Sequence, residues 1–121
     1  MRYKGIKGVA WKAVQKGCKR RDGDTCYTCP KKGSEWSYDC GHYKPTAIVG
    51  ANNTRNWLTR VIHRQCSRCN GAGQGEQVAY RAHLVQDYGE EWVAEYDRQV
   101  RAKEVSPVKN WQAVIETWDA L

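Results

Sequence analysis

The chain contains no phenylalanine, a single methionine and only three prolines among its 121 residues, and it contains no long hydrophobic segment. No apolar run approaches the roughly 18 residues that a membrane-spanning helix needs, so we expect no membrane contact. Residues 1–10 carry basic side chains but no apolar core of the kind that secretory signals have. These absences predict a cytoplasmic protein, in a reducing compartment where spaced cysteines bind metal more often than they form disulfides.

Acidic residues are scarce in the first part of the chain. Residues 1–75 contain 15 Lys and Arg against 4 Asp and Glu, a net charge of +11, whereas residues 76–121 contain 5 against 9, a net charge of −4. A positive charge confined to one part of a chain is typical of proteins that bind nucleic acid, because the phosphate backbone is a polyanion. DNA is therefore the predicted partner, through the basic residues 1–75.

The spacing of apolar residues predicts an α+β fold in one domain over 1–121. A basic N-terminal helix within 1–24 precedes a metal-binding core over 25–75 and a helical part over 76–121. Helices are predicted over 9–21, 76–88, 90–103 and 108–121, the last with Ser106 as its N-cap. Strands are predicted over 35–43 and, unless a helix begins there, over 61–65, with a loop over 51–60.

Six tryptophans make the aromatic content unusual for so small a protein. Trp92, Trp111 and Trp118 all fall in the predicted C-terminal helices, and we expect them to be exposed. Such residues suit the interface of a homodimer, and they equally suit a small helical core. The sequence leaves both alternatives open.

Four of the six cysteines form two Cys-x-x-Cys pairs, with 36 residues between the second cysteine of one pair and the first of the other. Four thiolates complete the tetrahedral shell of Zn²⁺, and a two-residue gap lets one turn present both sulfurs to the same ion. A closed shell of this kind stabilises a fold and does not catalyse. Cys18 and Cys40 have no such partner and are predicted to be buried or half-buried thiols. The structural zinc ligands are therefore predicted to be Cys26, Cys29, Cys66 and Cys69.

A second group of chemically active residues lies between and just after the cysteine pairs. His42 ends the first predicted strand, and Asn70 directly follows the last zinc cysteine. Phosphodiester hydrolysis needs a base to activate water and a cation to neutralise the phosphate. We expect His42 to be the general base, Asn70 to bind a divalent cation, and Asp39 to bind that cation or orient His42. His63 is a further candidate, for catalysis, cation binding or support of His42.

The order of these residues resembles a known family. The strings Trp36-x-x-Asp39-x-Gly41-His42-Tyr43 and Ile62-His63-x-Gln65-Cys66-x-x-Cys69-Asn70, followed by Tyr80-Arg81-x-x-Leu84, resemble the NinG/Rap recombination endonucleases of bacteriophages. The similarity runs from about residue 12 to about residue 96. The order of cysteine pair, His, cysteine pair and Asn is also similar to the phage junction resolvase endonuclease VII.

The resemblance implies a treble-clef or ββα-metal (HNH-like) core and an endonuclease that cuts branched DNA such as Holliday junctions, D-loops or flaps. It implies a structural Zn²⁺ and a catalytic divalent metal, Mg²⁺ or Mn²⁺, and for a phage protein the cytoplasm of the bacterial host. One departure concerns the Asn that the family carries five positions before the third cysteine, where this chain has Val61. Since that Asn holds the loop bearing the catalytic His, its loss threatens rate, and Asn56 or Asn53 could substitute for it.

Ten basic side chains are the predicted phosphate contacts, and such contacts position DNA without reading its sequence. The main alternative is a non-catalytic zinc module that binds DNA and recruits a partner, which needs the cysteines and the charge but not His42, Asp39 or Asn70. A third alternative, a zinc module that binds protein through its acidic helices, leaves the basic residues unexplained. The predicted DNA contacts are Lys12, Lys16, Lys19, Arg20, Arg21, Lys44, Arg55, Arg60, Arg64 and Arg68.

Overall fold

The structure, a computed structural model, describes residues 3–121, which form a two-stranded antiparallel sheet, six α-helices and two short 3-10 helices. The mixed α+β composition predicted from the sequence is confirmed. In chain order the elements are α1 (Gly5–Asp22), β1 (Tyr38–His42), α2 (Thr46–Val49), 3-10 helices at Thr54–Trp57 and Thr59–Val61, β2 (Ile62–Cys66), α3 (Ser67–Asn70), α4 (Gln77–Tyr88), α5 (Glu90–Arg101) and α6 (Trp111–Asp119).

Helix α1 is amphipathic in its packing: small and branched residues form its buried face, and lysines lie on the opposite side. The helix ends at Gly23, whose φ of 62° lies in the left-handed region that glycine adopts without strain. The Gly23 amide donates to the carbonyl oxygen of Lys19 (2.8 Å) and so closes the last turn. The buried residues of α1 are Ala10, Ala13, Val14, Gly17 and Cys18.

Strands β1 and β2 pair over their full lengths, from Tyr38 opposite Cys66 to His42 opposite Ile62. Four of the five β2 residues are buried, whereas β1 is largely half-exposed, so β1 is the strand that faces solvent. Helix α3 begins directly after Cys66. The segment therefore runs strand, strand, helix, which places the end of β1 and the end of α3 on neighbouring parts of the structure.

Helix α6 packs against α1 and brings the two ends of the described chain together. Trp118 is fully buried there, and its carbonyl oxygen accepts from the guanidinium of Arg20 (3.0 Å). A Cβ on Gly17 would lie 2.6 Å from the same oxygen, so glycine permits this close approach. The expectation that Trp118 is exposed is wrong, while Trp92 and Trp111 are half-buried against the same core. These three residues thus belong to a helical core.

Several predicted boundaries also change. The first strand spans five residues instead of the predicted nine, because residues 35–37 and Tyr43 lie outside the ladder. The second strand and the short helix α3 both exist, and the loop expected over 51–60 contains the two 3-10 turns. Ser106 is not the N-cap of α6: Asn110 is, and its Oδ1 accepts from the backbone N–H of Ala113 (3.0 Å). None of the helices formed by residues 3–121 has the length and apolarity needed to cross a bilayer.

Candidate functional site

A cleft of about 720 Å³ lies beside β1 and opens to solvent. It brings together three of the four residues predicted to be catalytic: Asp39, His42 and Asn70. Helix α1, strand β1, the end of α3 and the start of α4 all contribute to its walls. The other lining residues are Trp11, Gln15, Tyr38, Cys40, Pro45, Thr46, Arg64, Gln74, Gly75 and Gln77.

The imidazole of His42 is held by a single backbone group. Its Nε2 lies 3.0 Å from the carbonyl oxygen of Asn56, and since a carbonyl can only accept, Nε2 carries the proton. The neutral ring then has its lone pair on Nδ1, which is free to take a proton from water. Burial lowers the pKa of His42 to about 4, against the opposing effect of the Asn56 carbonyl, so the ring is neutral at neutral pH.

One face of the His42 ring is covered by Trp11, a residue the sequence analysis did not identify. The two rings are nearly parallel, at an angle of 7° with their centroids 5.8 Å apart. Trp11 itself lies edge-on to the ring of Trp57 (6.0 Å, 86°). The aromatic contact removes water from His42 and restricts rotation of its ring. No pattern in the sequence indicates it, because residues 11 and 42 belong to elements that meet only in the folded chain.

Gly41 lets Asn70 approach the strand that carries His42. A Cβ on Gly41 would lie 2.9 Å from Oδ1 of Asn70 and would overlap Oε1 of Gln65. Glycine at position 41, next to His42, therefore has a structural reason. Asp39 is exposed on β1, two residues before Gly41, and also lines the cleft. The cleft is thus lined by one carboxylate and one side-chain amide, the groups whose oxygens Mg²⁺ and Mn²⁺ prefer.

His63 lies apart from this group. It pairs with Gly41 in the sheet, next to the pair of His42 with Ile62. Its Nδ1 lies 3.2 Å from Asp22 Oδ2, and its ring stacks on Tyr27 with centroids 3.8 Å apart. Only 3% of His63 is exposed, and it does not line the cleft. The geometry favours a structural role for His63, and the predicted catalytic role remains a prediction.

The four predicted zinc ligands converge at the other end of the sheet. The sulfur atoms of Cys26, Cys29, Cys66 and Cys69 all lie within 4.8 Å of one another. Those of Cys29 and Cys66 are 3.7 Å apart, close to the roughly 3.8 Å edge of a ZnS₄ tetrahedron and far longer than a disulfide bond of about 2 Å. Burial raises the pKa of Cys26, but the backbone N–H groups of Cys66 and Thr28 lower it to about 6. These residues could hold a structural metal such as zinc.

The remaining two cysteines are as predicted. Cys18 is fully buried and Cys40 is half-buried, and neither belongs to the four-sulfur cluster. The Cys18 thiol donates to Asp22 Oδ2 (3.7 Å). The role of both residues is therefore one of packing between α1 and β1.

Val61 occupies a core position, and a different asparagine restrains the His42 loop. Val61 is 1% exposed, and its carbonyl oxygen accepts from the backbone N–H of Tyr43 (2.9 Å). Asn56 is equally buried; besides its contact with His42, its Oδ1 accepts from Thr46 Oγ1 (3.4 Å). Asn53 instead caps the first 3-10 helix. Of the two substitutes considered for the missing family Asn, Asn56 therefore has the better position.

The ten predicted DNA contacts divide into two groups. Most of the arginines are engaged inside the fold: Arg20 with Leu121 O (2.6 Å), Arg21 with Asp22 (2.7 Å), and Arg64 with Asp24 (2.9 Å). Similar contacts hold Arg55 on Glu104, Lys44 near Asp97, and Arg60 over the rings of Tyr88 and Trp92. Of the ten, the side chains with no ion pair, hydrogen bond or cation–π contact among residues 3–121 are those of Lys12, Lys16, Lys19 and Arg68, all exposed.

Removal of the metal from the four-sulfur site should unfold the protein. A structural zinc site supplies roughly 10–16 kcal/mol of apparent binding free energy, which is available only to the folded chain. We expect Cys66→Ser to abolish zinc binding, measured by mass spectrometry of metal content, and to lower the melting temperature seen by circular dichroism. Cys40→Ser is the matched control and should keep its zinc. Retention of zinc and of the melting temperature by Cys66→Ser would contradict the assignment.

The half-buried, neutral His42 should make the protein less stable as the pH falls. Between about pH 6.5 and 4 the unfolded chain binds a proton at this residue that the folded chain does not. The stability that the neutral His42 contributes is therefore complete above pH 6.5 and is lost as the pH falls toward 4. The loss between pH 7 and pH 5 is about 2 kcal/mol. Urea unfolding at both pH values should show a smaller loss for His42→Gln than for the parent. Equal losses in the two proteins would show that His42 is protonated in the folded state.

Comparison with known proteins places the chain in a family. A family profile described as "Bacteriophage Lambda NinG protein" matches residues 3–120. Protein ninG of Escherichia phage 933W is 31% identical over 115 residues, which cover 84% of this chain and 55% of that protein. Protein ninG of Escherichia phage lambda is 36% identical over 89 residues, 73% of this chain and 42% of that protein.

These matches leave part of each relative uncovered, since the chain spans about half the length of the curated relatives it matches. No solved structure matches the chain. The matched residues nevertheless include the complete four-sulfur cluster and the three cleft residues Asp39, His42 and Asn70. The chain belongs to the NinG family of bacteriophage lambda-type proteins.

Proposed function

We propose that this chain is a metal-dependent endonuclease that hydrolyses phosphodiester bonds in branched DNA. The observation that carries the proposal is the convergence of His42, Asp39 and Asn70 on one open cleft. A neutral imidazole and two oxygen ligands are the groups that phosphodiester hydrolysis requires. The order β1, β2, α3, with His42 ending one strand and Asn70 ending the helix, supports a ββα-metal core of the HNH-like or treble-clef kind.

His42 acts as the general base in this proposal. With Nε2–H donating to Asn56, its Nδ1 takes the proton from the attacking water. The Trp11 contact and the Asn56 bond hold the ring in one orientation, so little entropy is lost in reaching the reactive geometry. His42 is thereby a base that stays unprotonated throughout the neutral pH range.

Asp39 and Asn70 are the proposed ligands of a hydrated divalent cation, Mg²⁺ or Mn²⁺. When bound, the cation would neutralise charge on the scissile phosphate and on the leaving oxygen. Two protein oxygens with the remaining positions filled by water and phosphate are typical of Mg²⁺ sites at phosphates. The closed sulfur site, in contrast, has no open position, so the proposal assigns it a structural role.

The DNA substrate is assigned from charge and from the family resemblance. Lys12, Lys16 and Lys19 lie on α1, the helix that also places Trp11 and Gln15 in the cleft. Positions 12, 16 and 19 recur at helical spacing, so their ammonium groups form one exposed row beside the cleft. We define these three residues as the lysine row. Phosphate contacts of this kind favour recognition of DNA shape over sequence, in keeping with a branched substrate.

Replacement of His42 tests the catalytic part of the proposal. We expect His42→Ala to lower the rate of metal-dependent cleavage of labelled Holliday junctions, flaps and D-loops by roughly 10²–10⁴-fold, because the proton acceptor is lost. Binding in gel-shift assays should survive. His83→Ala, an exposed histidine on α4, is the matched control and should cut as the parent does.

A non-catalytic DNA-binding module is the second candidate, favoured by Val61 standing where the family carries the loop-holding Asn. In that case the parent itself would bind DNA without cutting it in any divalent metal. Cleavage by His42→Ala at the parental rate would also contradict the assignment of the base.

The lysine row gives a separate test of DNA binding. A triple Lys12→Gln, Lys16→Gln, Lys19→Gln variant should bind DNA more weakly. The slope of log K against log salt concentration should fall by about 2–3, because each phosphate contact contributes about 0.9. A control with Arg101, Lys103 and Lys109 changed to Gln removes equal charge from the acidic part of the chain. Equal loss in the two triple variants would mean that net charge alone attracts DNA.

A further inference from the structure

Gln65 is a completely buried polar residue in the middle of the sheet. Both hydrogens of its amide nitrogen are used: Nε2 donates to Thr28 Oγ1 (2.9 Å) and to the carbonyl oxygen of Gly75 (3.0 Å). The Gly75 carbonyl fixes the orientation of the amide, because it can only accept and turning the amide over would place Oε1 against it. Gln65 Oε1 therefore points in a defined direction.

That oxygen has no hydrogen-bond donor. Gln65 Oε1 is buried and unpaired within the described part of the chain, a state that costs about 1–3 kcal/mol. It faces the space that Gly41 leaves empty, since a Cβ on Gly41 would overlap it. The side-chain amide of Asn70 reaches the same space from the other side, with Oδ1 2.9 Å from that Cβ position. The amides of Gln65 and Asn70 thus meet beside the strand that carries His42.

We propose that Gln65 is a positioning residue for Asn70, whose Nδ2 donates to the unpaired Gln65 Oε1 when Asn70 binds a divalent cation. This inference rests on the proposed function, in which the Asn70 oxygen is a cation ligand. A cation binds the oxygen of an amide and repels the hydrogens on its nitrogen, so the nitrogen must find an acceptor elsewhere. A half-turn of the Asn70 amide exchanges the two atoms and satisfies both requirements.

The hydrogen bonds of Gln65 link the two proposed metal sites, the four-sulfur cluster and the cation site in the cleft. Thr28, which fixes Gln65, lies between the zinc ligands Cys26 and Cys29, and Gln65 directly precedes Cys66. Gly75, the other acceptor, belongs to the segment between α3 and α4 that borders the cleft. Gln65 therefore transmits the position of the sulfur cluster to the cation ligand, as hydrogen-bonded partners behind a ligand commonly do.

Mn²⁺ affinity of the zinc-loaded chain, measured by electron paramagnetic resonance without DNA, tests the proposal. We expect Gln65→Met, similar in size but without an acceptor, to raise the Kd for Mn²⁺ by about 10-fold or more. Tyr80→Phe is the matched control, since Tyr80 is equally buried and its hydroxyl donates to the backbone of β1, at Gly41 O (2.6 Å). Its Mn²⁺ affinity should stay within about 2-fold of the parent, in line with a contact that does not reach Asn70.

A second measurement uses the parent protein and so does not depend on how the variants fold. On addition of Mg²⁺, the side-chain NH₂ resonances of Asn70 should shift and become protected from hydrogen exchange. Asn52, which is exposed, supplies the reference. Exchange of Asn70 as fast as that of Asn52 with Mg²⁺ bound would overturn the proposal.

The Asn70→Ala variant distinguishes a failure of the role proposed for Gln65 from a failure of the proposed cation site. Loss of Mn²⁺ binding in Asn70→Ala together with parental affinity in Gln65→Met would overturn the role of Gln65 alone. Parental Mn²⁺ affinity in Asn70→Ala would remove the proposed cation site, and the role of Gln65 with it. Weakened binding in both variants but not in Tyr80→Phe is the expected result.

Discussion

The four-sulfur cluster joins two segments that 36 residues separate, and the geometry of the cleft depends on that junction. Cys66 ends β2 and begins α3, so fixing its sulfur fixes both the register of the sheet and the start of the helix. Asn70 follows Cys69 directly, so the position of Cys69 also determines the position of Asn70. In a small protein with a modest core, a metal held by these four sulfurs would supply rigidity that apolar packing alone would not.

The sequence was sufficient where chemistry and spacing coincide. The two Cys-x-x-Cys pairs and most of the first helix, predicted over 9–21 and observed over Gly5–Asp22, follow from local patterns. So does the expectation that Asp39, His42 and Asn70 belong to one site, and all three line one cleft. The position of His63 could not be predicted in this way. It lies one register position away from His42. Strand register depends on pairing across the sheet, which no local pattern gives. Trp118 was misjudged for a similar reason, because the face of α6 it occupies is covered by α1, a helix about 100 residues earlier.

The environment of the candidate site was even less predictable than its residues. Trp11 covers His42, and Gln65 and Asn56 contact the site from elements distant in sequence. None of these three changes the charge or metal-binding character of a motif, so none stands out before folding. Their effect is nevertheless chemical: Trp11 and Asn56 set the burial and the tautomer of an imidazole, and Gln65 presents its amide oxygen in a fixed direction. Residue types can be read from a sequence, whereas tautomers and amide orientations belong to the folded structure.

The arginines of α1 make contacts within the fold whereas its exposed lysines do not, and this difference has an evolutionary consequence. The Arg20 and Arg21 side chains use several guanidinium nitrogens at once to reach backbone carbonyls and a carboxylate, a planar fork that a lysine ammonium cannot reproduce. The lysine row makes no such contacts, and any cation serves there. Homologous chains should therefore exchange Lys and Arg freely at the positions of the lysine row. They should retain Arg at positions 20 and 21, near the C-terminal end of α1. Substitution patterns in an alignment would then distinguish the basic side chains that stabilise the fold from those that are exposed to solvent and binding partners.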